Sequence, residues 1–452
     1  MLGEIKMLVT IVLLIAIGIE IFLGILSLKK DKAFEVLEAR VRLGELLVFV
    51  LLILSPIITW NFRWYGLGIV LAFQGVIAIF KAIKNKKSVH RTRIRVIVKL
   101  FFKGGLLLFI LMPAWLFPEN SELRPTGNYG TKTVTYTWTD KIRDETFTPE
   151  KDNRKITVQF WYPTKDKQSN QKAEGKFPLI IFSHGAFGIR ASNTSTYQEL
   201  ASHGYVVCSI DHTYHALFTK QTDGKVIPCD QGFMKEVNDL MVVKQGEMDQ
   251  AKYNITQDWL NLRTADMTFC LNEIKTFVRD SNNEEVFSMI AIDKIGLMGH
   301  SLGGATAAAV ARQVEGIKAV AVIDGTMLGE EIGIKNGVEQ VTNAPYPVPI
   351  LNFYNGASYE KIKEIKAIYP NTVAAVSQKE SYQIVIPNAG HMNFTDLALI
   401  SPVLAKMLGT GTVSASACMK EVNDEILLFF DAYLKDQPIH LPKQDIIVIG
   451  KE

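Results

Sequence analysis

Cysteine is sparse in this chain of 452 residues: there are four, Cys208, Cys229, Cys270 and Cys418, widely spaced and without a C-x-x-C pair. That spacing argues against a zinc site or a dithiol redox motif and favours free thiols. Charge of one sign is not in excess either, since 49 Lys and Arg face 46 Asp and Glu for a net charge of +3. So balanced a chain is no candidate for a polyanion binder, and nucleic acid is not expected among its partners. No Walker A loop, dinucleotide fingerprint, internal repeat or low-complexity tract occurs, so no cofactor is implied.

What the chain does have is hydrophobic residues, 48% of the total, with the longest apolar runs at the N-terminus. Met7 to Leu28 is apolar apart from Glu20, long enough for the roughly 20 residues that a membrane-spanning helix needs. A signal peptide is the weaker reading, because the run is long, Lys29-Lys30 follow it, and no small-x-small cleavage site stands out. Further apolar runs, Leu46 to Trp60, Trp64 to Phe80 and about Val96 to Phe117, predict four transmembrane helices within a membrane domain over 1–120. Small residues, Gly66, Gly68 and Gly75, suit helix contacts. Glu20 reads as a carboxylate near the bundle interior or snorkelling, with an ion or substrate path as the alternative.

Basic residues cluster in two connections, Lys29, Lys30, Lys32, Arg40 and Arg42 after the first run, and Lys81, Lys84, Lys86, Lys87, Arg91, Arg93 and Arg95 before the last. The turn at 61–63 carries one Arg. The positive-inside rule then makes the basic connections cytoplasmic and puts everything after Phe117 on the extracytoplasmic side of a multi-pass cell-membrane protein.

From 121 to 452 the pattern changes to alternating strand-like and helix-like segments, with Pro125 to Gly130 as a linker. Strands are expected at Thr131–Trp138, Lys155–Tyr162, Phe177–Phe182, Tyr205–Ile210, Lys294–Met298, Lys318–Ile323, Val348–Phe353 and Tyr382–Ile386. Helices are expected at Thr196–Ser202, Trp259–Val278, Gly303–Gln313 and Glu425–Leu434. The order fits a doubly wound, mostly parallel sheet of the α/β-hydrolase type.

Gly299-His300-Ser301-Leu302-Gly303 matches G-x-S-x-G between a strand and an alanine-rich helix, the setting in which that motif exposes a nucleophilic serine. A serine hydroxyl needs a base, and the chain order serine, acid, histidine leaves His391 and His440 as candidates. His391 follows a strand through Pro387-Asn388-Ala389-Gly390, whereas His440 lies in the tail, so His391 is the expected base. Asp324 ends the strand Lys318–Ile323 and is the expected acid; the next strand offers no carboxylate until Glu360, and Asp396 is the main competitor. Two N–H donors are needed for the oxyanion, and Leu302 with Ala186 (or Phe187) are in position to supply them.

His184 reads as a brace for the Ser183–Gly188 turn. His212-x-x-His215 has no third ligand with metal-site spacing and reads as a pocket-lining loop, so no metal is expected. Sequons at Asn193, Asn254 and Asn393 are weak signals.

Over roughly residues 155–435 the chain resembles the platelet-activating-factor acetylhydrolases of the plasma and type II kind. The resemblance rests on Phe182-Ser183-His184-Gly185, Leu200-Ala201-Ser202-His203-Gly204-Tyr205-Val206-Val207 and Asp211-His212. It continues in Ile292–Gly296, in Gly299-His300-Ser301-Leu302-Gly303-Gly304-Ala305-Thr306 and in His391-Met392-Asn393-Phe394-Thr395-Asp396. It implies calcium-independent release of short or oxidised acyl groups from the sn-2 position of a phospholipid. Two features depart from it: the order Ala186-Phe187-Gly188-Ile189-Arg190, and the N-terminal spans, which the secreted enzymes lack.

The expected function is therefore that of a membrane-anchored serine esterase acting on lipid or small-ester substrates at a bilayer. An acyltransferase would use the same serine with an alcohol replacing water, and a non-catalytic scaffold on this fold would be expected to have a broken triad.

Overall fold

The computed structural model describes residues 2–28, 32–55, 57–84, 92–118, 123–150, 152–241, 249–280, 284–365, 368–439, 441 and 446–448. Lys29, Lys30, Lys86, Lys87, Arg91 and His440, all used in the sequence reading, lie outside these. The chain divides into two compact units, Met1–Ser121 with Ile400–Leu404, and Glu122–Leu399 with Ala405–Glu452.

The first unit contains four long helices, α1 (Leu2–Leu26), α2 (Lys32–Leu54), α3 (Phe62–Lys84) and α4 (Arg93–Leu116). Among the described residues three stretches, Met7–Leu26, Phe62–Lys81 and Arg93–Leu116, are long and apolar enough to cross a membrane. The expectation of a fourth span at Leu46–Trp60 is corrected: α2 starts at Lys32 and stops at Leu54, so its part up to Glu45 carries Glu35, Glu38, Arg40, Arg42 and Glu45. Glu35, Glu38 and Arg42 pair across helices, and Glu45 pairs within α2. Arg42 donates to Glu20 and Glu45, each at 2.8 Å, and Lys103 donates to Glu20 at 2.7 Å. Lys81 reaches Glu38 at 3.2 Å.

Glycines let these helices close up. A Cβ on Gly68 would stand 2.7 Å from the ring of Trp60, and one on Gly75 2.9 Å from Leu46. The outer faces keep Ile69, Phe73, Phe101, Phe102 and Phe109 exposed.

The second unit is built on a nine-stranded sheet. Its early strands are β1 (Gly130–Asp144), β2 (Asn153–Thr164), β3 (Phe177–Ser183) and β4 (Val206–Asp211), followed by a small hairpin of β5 (Phe218–Lys220) and β6 (Val226–Pro228). Then come β7 (Ile290–His300), β8 (Ile317–Ile323), a hairpin of β9 (Glu331–Lys335) and β10 (Val338–Val341), and β11 (Ile350–Asn355), β12 (Ser381–Ile386) and β13 (Ile446–Val448). The sheet order is β1-β2-β4-β3-β7-β8-β11-β12-β13. β2 is antiparallel to β1 and β4, and every other pairing is parallel.

Side chains alternate across a strand, and here both faces are covered. Leu179 and Ile181 of β3 pack with Leu297, Val320 and Val322 against α7 (Gln250–Arg279) and α8 (Leu302–Gln313). Ile180 and Phe182 of β3 pack with Met298, Ala321 and Ile323 on the opposite side, against α5 (Thr194–Ser202) and the closing helix Ala415–Lys435. Each fully buried Leu, Ile, Val, Phe or Met among them contributes about 1.5–3 kcal/mol relative to exposure. This is why β3 reads as a continuous apolar run rather than an alternating one. The four cysteines are free and buried.

All eight expected strands are present, with ends shifted by a few residues. Absent from the sequence reading were the two hairpins, α6 (Gln231–Met241), β13, and the short helices between Gly356 and Met407. A three-residue strand offers too little periodicity to recognise.

Candidate active site

Ser301 sits at the turn from β7, near the middle of the sheet, into α8, with φ 55° and ψ −126°. Only close backbone packing holds a non-glycine residue there. A Cβ on Gly299 would lie 2.2 Å from the backbone of Gly303, and one on Gly303 would lie 2.0 Å from Ser183 O. A Cβ on Gly325, just past β8, would lie 2.2 Å from Ser301 O. The glycines of the motif are therefore required by contact with neighbouring backbone.

Asp324 follows β8, also in the left-handed region at φ 52°. Its carboxylate is buried and accepts three hydrogen bonds: from His391 Nδ1 at 2.6 Å, from the Asn355 amide nitrogen Nδ2 at 2.6 Å, and from the Asn355 backbone N–H at 2.8 Å. Burial by itself pushes this carboxyl up, but the bonds and charge from His391 and Asn355 outweigh it and hold the group below its ordinary range. Asp396, the competing acid, accepts instead from Ser195, at 2.7 Å from N–H and 2.5 Å from Oγ. With that second helical residue of α5 as its partner, burial dominates and pushes Asp396 up to about 6.

His391 presents its ring beside the turn, the ring centroid 4.5 Å from that of His300. His300, which sequence reasoning passed over, is buried and held neutral by burial and by His391, its pKa down to about 3. Its Nε2 lies 3.2 Å from His391 O, which braces the loop that carries the imidazole. Among the described residues no hydrogen bond joins Ser301 Oγ to His391, a bond that often tightens only when substrate is bound.

The turn after β3 lies directly against the serine. A Cβ on Gly185 would stand 3.1 Å from Ser301 Cβ. Phe187, at φ 59°, donates its N–H to His215 O at 3.3 Å. Of the two expected early-loop donors, then, only Ala186 keeps its N–H without a protein acceptor among the described residues, as does Leu302 at the start of α8. Arg190 ties the far side of this loop to Asp211, its N–H 2.5 Å from that carboxylate.

His184 is buried behind the turn. Its Nε2 accepts from His212 N–H at 3.3 Å, so Nδ1 carries the proton and donates to Gly185 O at 2.7 Å. His212 lies between Ser183 Oγ at 2.8 Å and Asp266 at 3.1 Å, and His215 stacks on Phe233 at 3.7 Å. Two sequon asparagines, Asn193 and Asn393, are buried.

Sequence reasoning also missed Asn355, visible there only as the strand end that lacked a carboxylate, and Arg263 with Asp266, spaced to share one face of α7. An Arg and an Asp three apart, on the same face of a helix expected to pack on the sheet, was the available signal. Around Leu302 and Ala186 an apolar cluster brings Phe187, Phe233, Trp259 and Cys229 together. Next to it is a hollow of about 640 Å³ lined by Leu217, Cys229 and Met234 among others.

The chain is 25% identical over 270 residues to a dog protein named platelet-activating factor acetylhydrolase, covering 57% of each chain. It is 24% identical over 232 residues to a protein of Arthroderma benhamiae named a probable 1-alkyl-2-acetylglycerophosphocholine esterase, covering 49% of each. The chain thus spans about half the length of these curated relatives. A solved ferulic acid esterase from Streptomyces cinnamoneus superposes with a TM-score of 0.53 at 20% identity, over 71% of this chain and 96% of its own, which shows the α/β-hydrolase fold. The family model described as platelet-activating factor acetylhydrolase, isoform II, matches residues 155–440, and the chain belongs to that family.

Proposed function

We propose that this chain is a membrane-anchored serine carboxylic ester hydrolase that releases short or oxidised acyl groups from phospholipid-like esters. The observation that carries the reading is the 2.6 Å bond between His391 Nδ1 and Asp324, formed beside a serine held at φ 55° on a strand-to-helix turn. Asp324 orients the imidazole with Nε2 free of the carboxylate. Nε2 takes the proton of Ser301 Oγ as that oxygen attacks the ester carbonyl, and the negative oxygen that develops meets the N–H groups of Leu302 and Ala186. The carbonyl then re-forms, the alcohol departs with the proton from His391, and water repeats the sequence to free the acid from Ser301. The cluster of Phe187, Phe233 and Trp259 offers an apolar wall to the acyl group or glycerol arm.

The four-helix unit serves as the anchor in this reading. Three helices meet the length and hydropathy of a span, and Glu20 within α1 is partnered by Arg42 and Lys103, as an intramembrane carboxylate must be. With the lysine-rich connection before α4 on the cytoplasmic side, the hydrolase unit lies on the extracytoplasmic side, where tethering raises the local concentration of lipid esters.

The test is turnover of p-nitrophenyl acetate and of an acetyl-glycerophosphocholine ester by the full chain in detergent. Ser301→Ala lowers kcat by about 10⁴-fold or more, with loss of organophosphonate labelling; a mutant with wild-type turnover removes Ser301 as nucleophile.

A further inference from the structure

Arg263 is fully buried on α7, yet among the described residues no carboxylate lies within ion-pair distance of it. A buried guanidinium normally faces an anion. Here its donors face backbone carbonyls: Nη1 donates to His184 O at 2.5 Å, and Nη2 reaches Gly185 O at 3.4 Å and His215 O at 3.5 Å. Nε points at His215 Nδ1 at 3.3 Å. Burial lowers its pKa, with the charge of Asp266 opposing, but leaves it cationic at neutral pH.

These carbonyls frame the turn beside Ser301. Gly185 O and the Ala186 N–H belong to one planar trans peptide and point in opposite directions. His184 Nδ1, at 2.7 Å, and Arg263 together hold the carbonyl end of that peptide in the protein interior. The N–H end therefore points away from those interior contacts, and the glycine that precedes it lies against the serine, a Cβ there standing 3.1 Å from Ser301 Cβ. His215 O, which Arg263 also holds, accepts the Phe187 N–H and keeps that donor out of the site.

We propose that Arg263 is a positioning residue for ester hydrolysis: through the carbonyls of residues 184, 185 and 215 it aims the Ala186 N–H at the developing oxyanion. The proposal rests on the reading of Ser301 as nucleophile and Ala186 as oxyanion donor. A loose peptide would bind substrate as well as before but stabilise the tetrahedral state less, so the defect belongs in kcat and not in KM.

The experiment compares full-length wild type, Arg263→Met, Arg263→Lys and Ser301→Ala in detergent. For each, kcat and KM on p-nitrophenyl acetate, the affinity for a trifluoromethyl ketone that forms a tetrahedral adduct, and the melting temperature are measured. Removing one oxyanion donor outright costs about 10²–10³-fold. Arg263→Met is therefore expected to lose about 10–100-fold in kcat with KM within about threefold, and to lose ketone affinity by a similar factor. Arg263→Lys, which keeps the charge but not the planar fork, is expected between that and wild type. If Ser301→Ala is inert while a folded Arg263→Met keeps kcat and ketone affinity, this inference fails and the assigned nucleophile stands. If both Arg263 variants fail to fold, Arg263 is a folding element and the inference is overturned. If Ser301→Ala remains active, the underlying reading falls first.

Discussion

Truncation of Asn355 to alanine tests how the site acts as a unit. Its side-chain nitrogen donates to Asp324 at 2.6 Å, while its side-chain oxygen accepts from Ser358 N–H at 2.9 Å and caps the helix Gly356–Glu364. A hydrogen bond to a buried ionised group is worth about 1.5–3 kcal/mol, and loss of an N-cap about 1 kcal/mol. Asn355→Ala should therefore lower unfolding stability by about 2.5–4 kcal/mol. Asp324 keeps His391 and the Asn355 backbone N–H, so the imidazole is less firmly oriented rather than released. A loss of about 10–100-fold in kcat follows if about 1.4–2.7 kcal/mol of that anchoring acts on the transition state.

The pH profile carries the sharper reading. The folded-state pKa of Asp324 is depressed, so what it contributes is present above the ordinary carboxylate pKa and is lost as pH falls through the lower folded value. Removing a donor raises that value, and the acid limb of kcat/KM should move to higher pH. Asn355→Asp should move it further, because two adjoining carboxylates do not both ionise readily. Initial rates from pH 3 to 9, with melting curves at each pH, make the measurement. A folded Asn355→Ala enzyme with unaltered kcat and an unmoved acid limb would refute the argument that Asp324 depends on this amide.

A second titration concerns Asp396, which burial raises to about 6 against the opposing bonds from Ser195. Its contribution to stability is present below the unfolded value, about 3.9, and declines as pH rises through the folded one. Asp396→Asn should accordingly flatten the fall in melting temperature between about pH 4 and 6; an identical slope in wild type and mutant would count against it. For topology, single cysteines at 61 and 87 in a background with the native thiols replaced should differ in intact cells: an impermeant maleimide labels 61 and spares 87. The reverse pattern would invert the proposed orientation.

The doubly wound sheet and the motif at 299–303 were legible in the sequence because their signals are local. Period-two and all-apolar strands mark their own burial, and glycines beside a serine mark a turn where backbone meets backbone. Asp324 was accessible by elimination along the chain, since strand ends in this fold face one edge. Counting spans by apolar runs misread α2, because a helix whose charges are paired inside a bundle has no distinctive window of hydropathy.

Tertiary structure alone decided which donors surround each group. Asn355, His300 and Arg263 are ordinary polar residues in sequence, and their roles exist only because β11, β7 and α7 bring them to Asp324, His391 and the Gly185–Ala186 peptide. Hydrogen-bond direction depends on positions to within a few tenths of an ångström. Chain order sets the candidates for a site; packing across a sheet sets their orientation, and orientation governs whether a serine can act as a nucleophile.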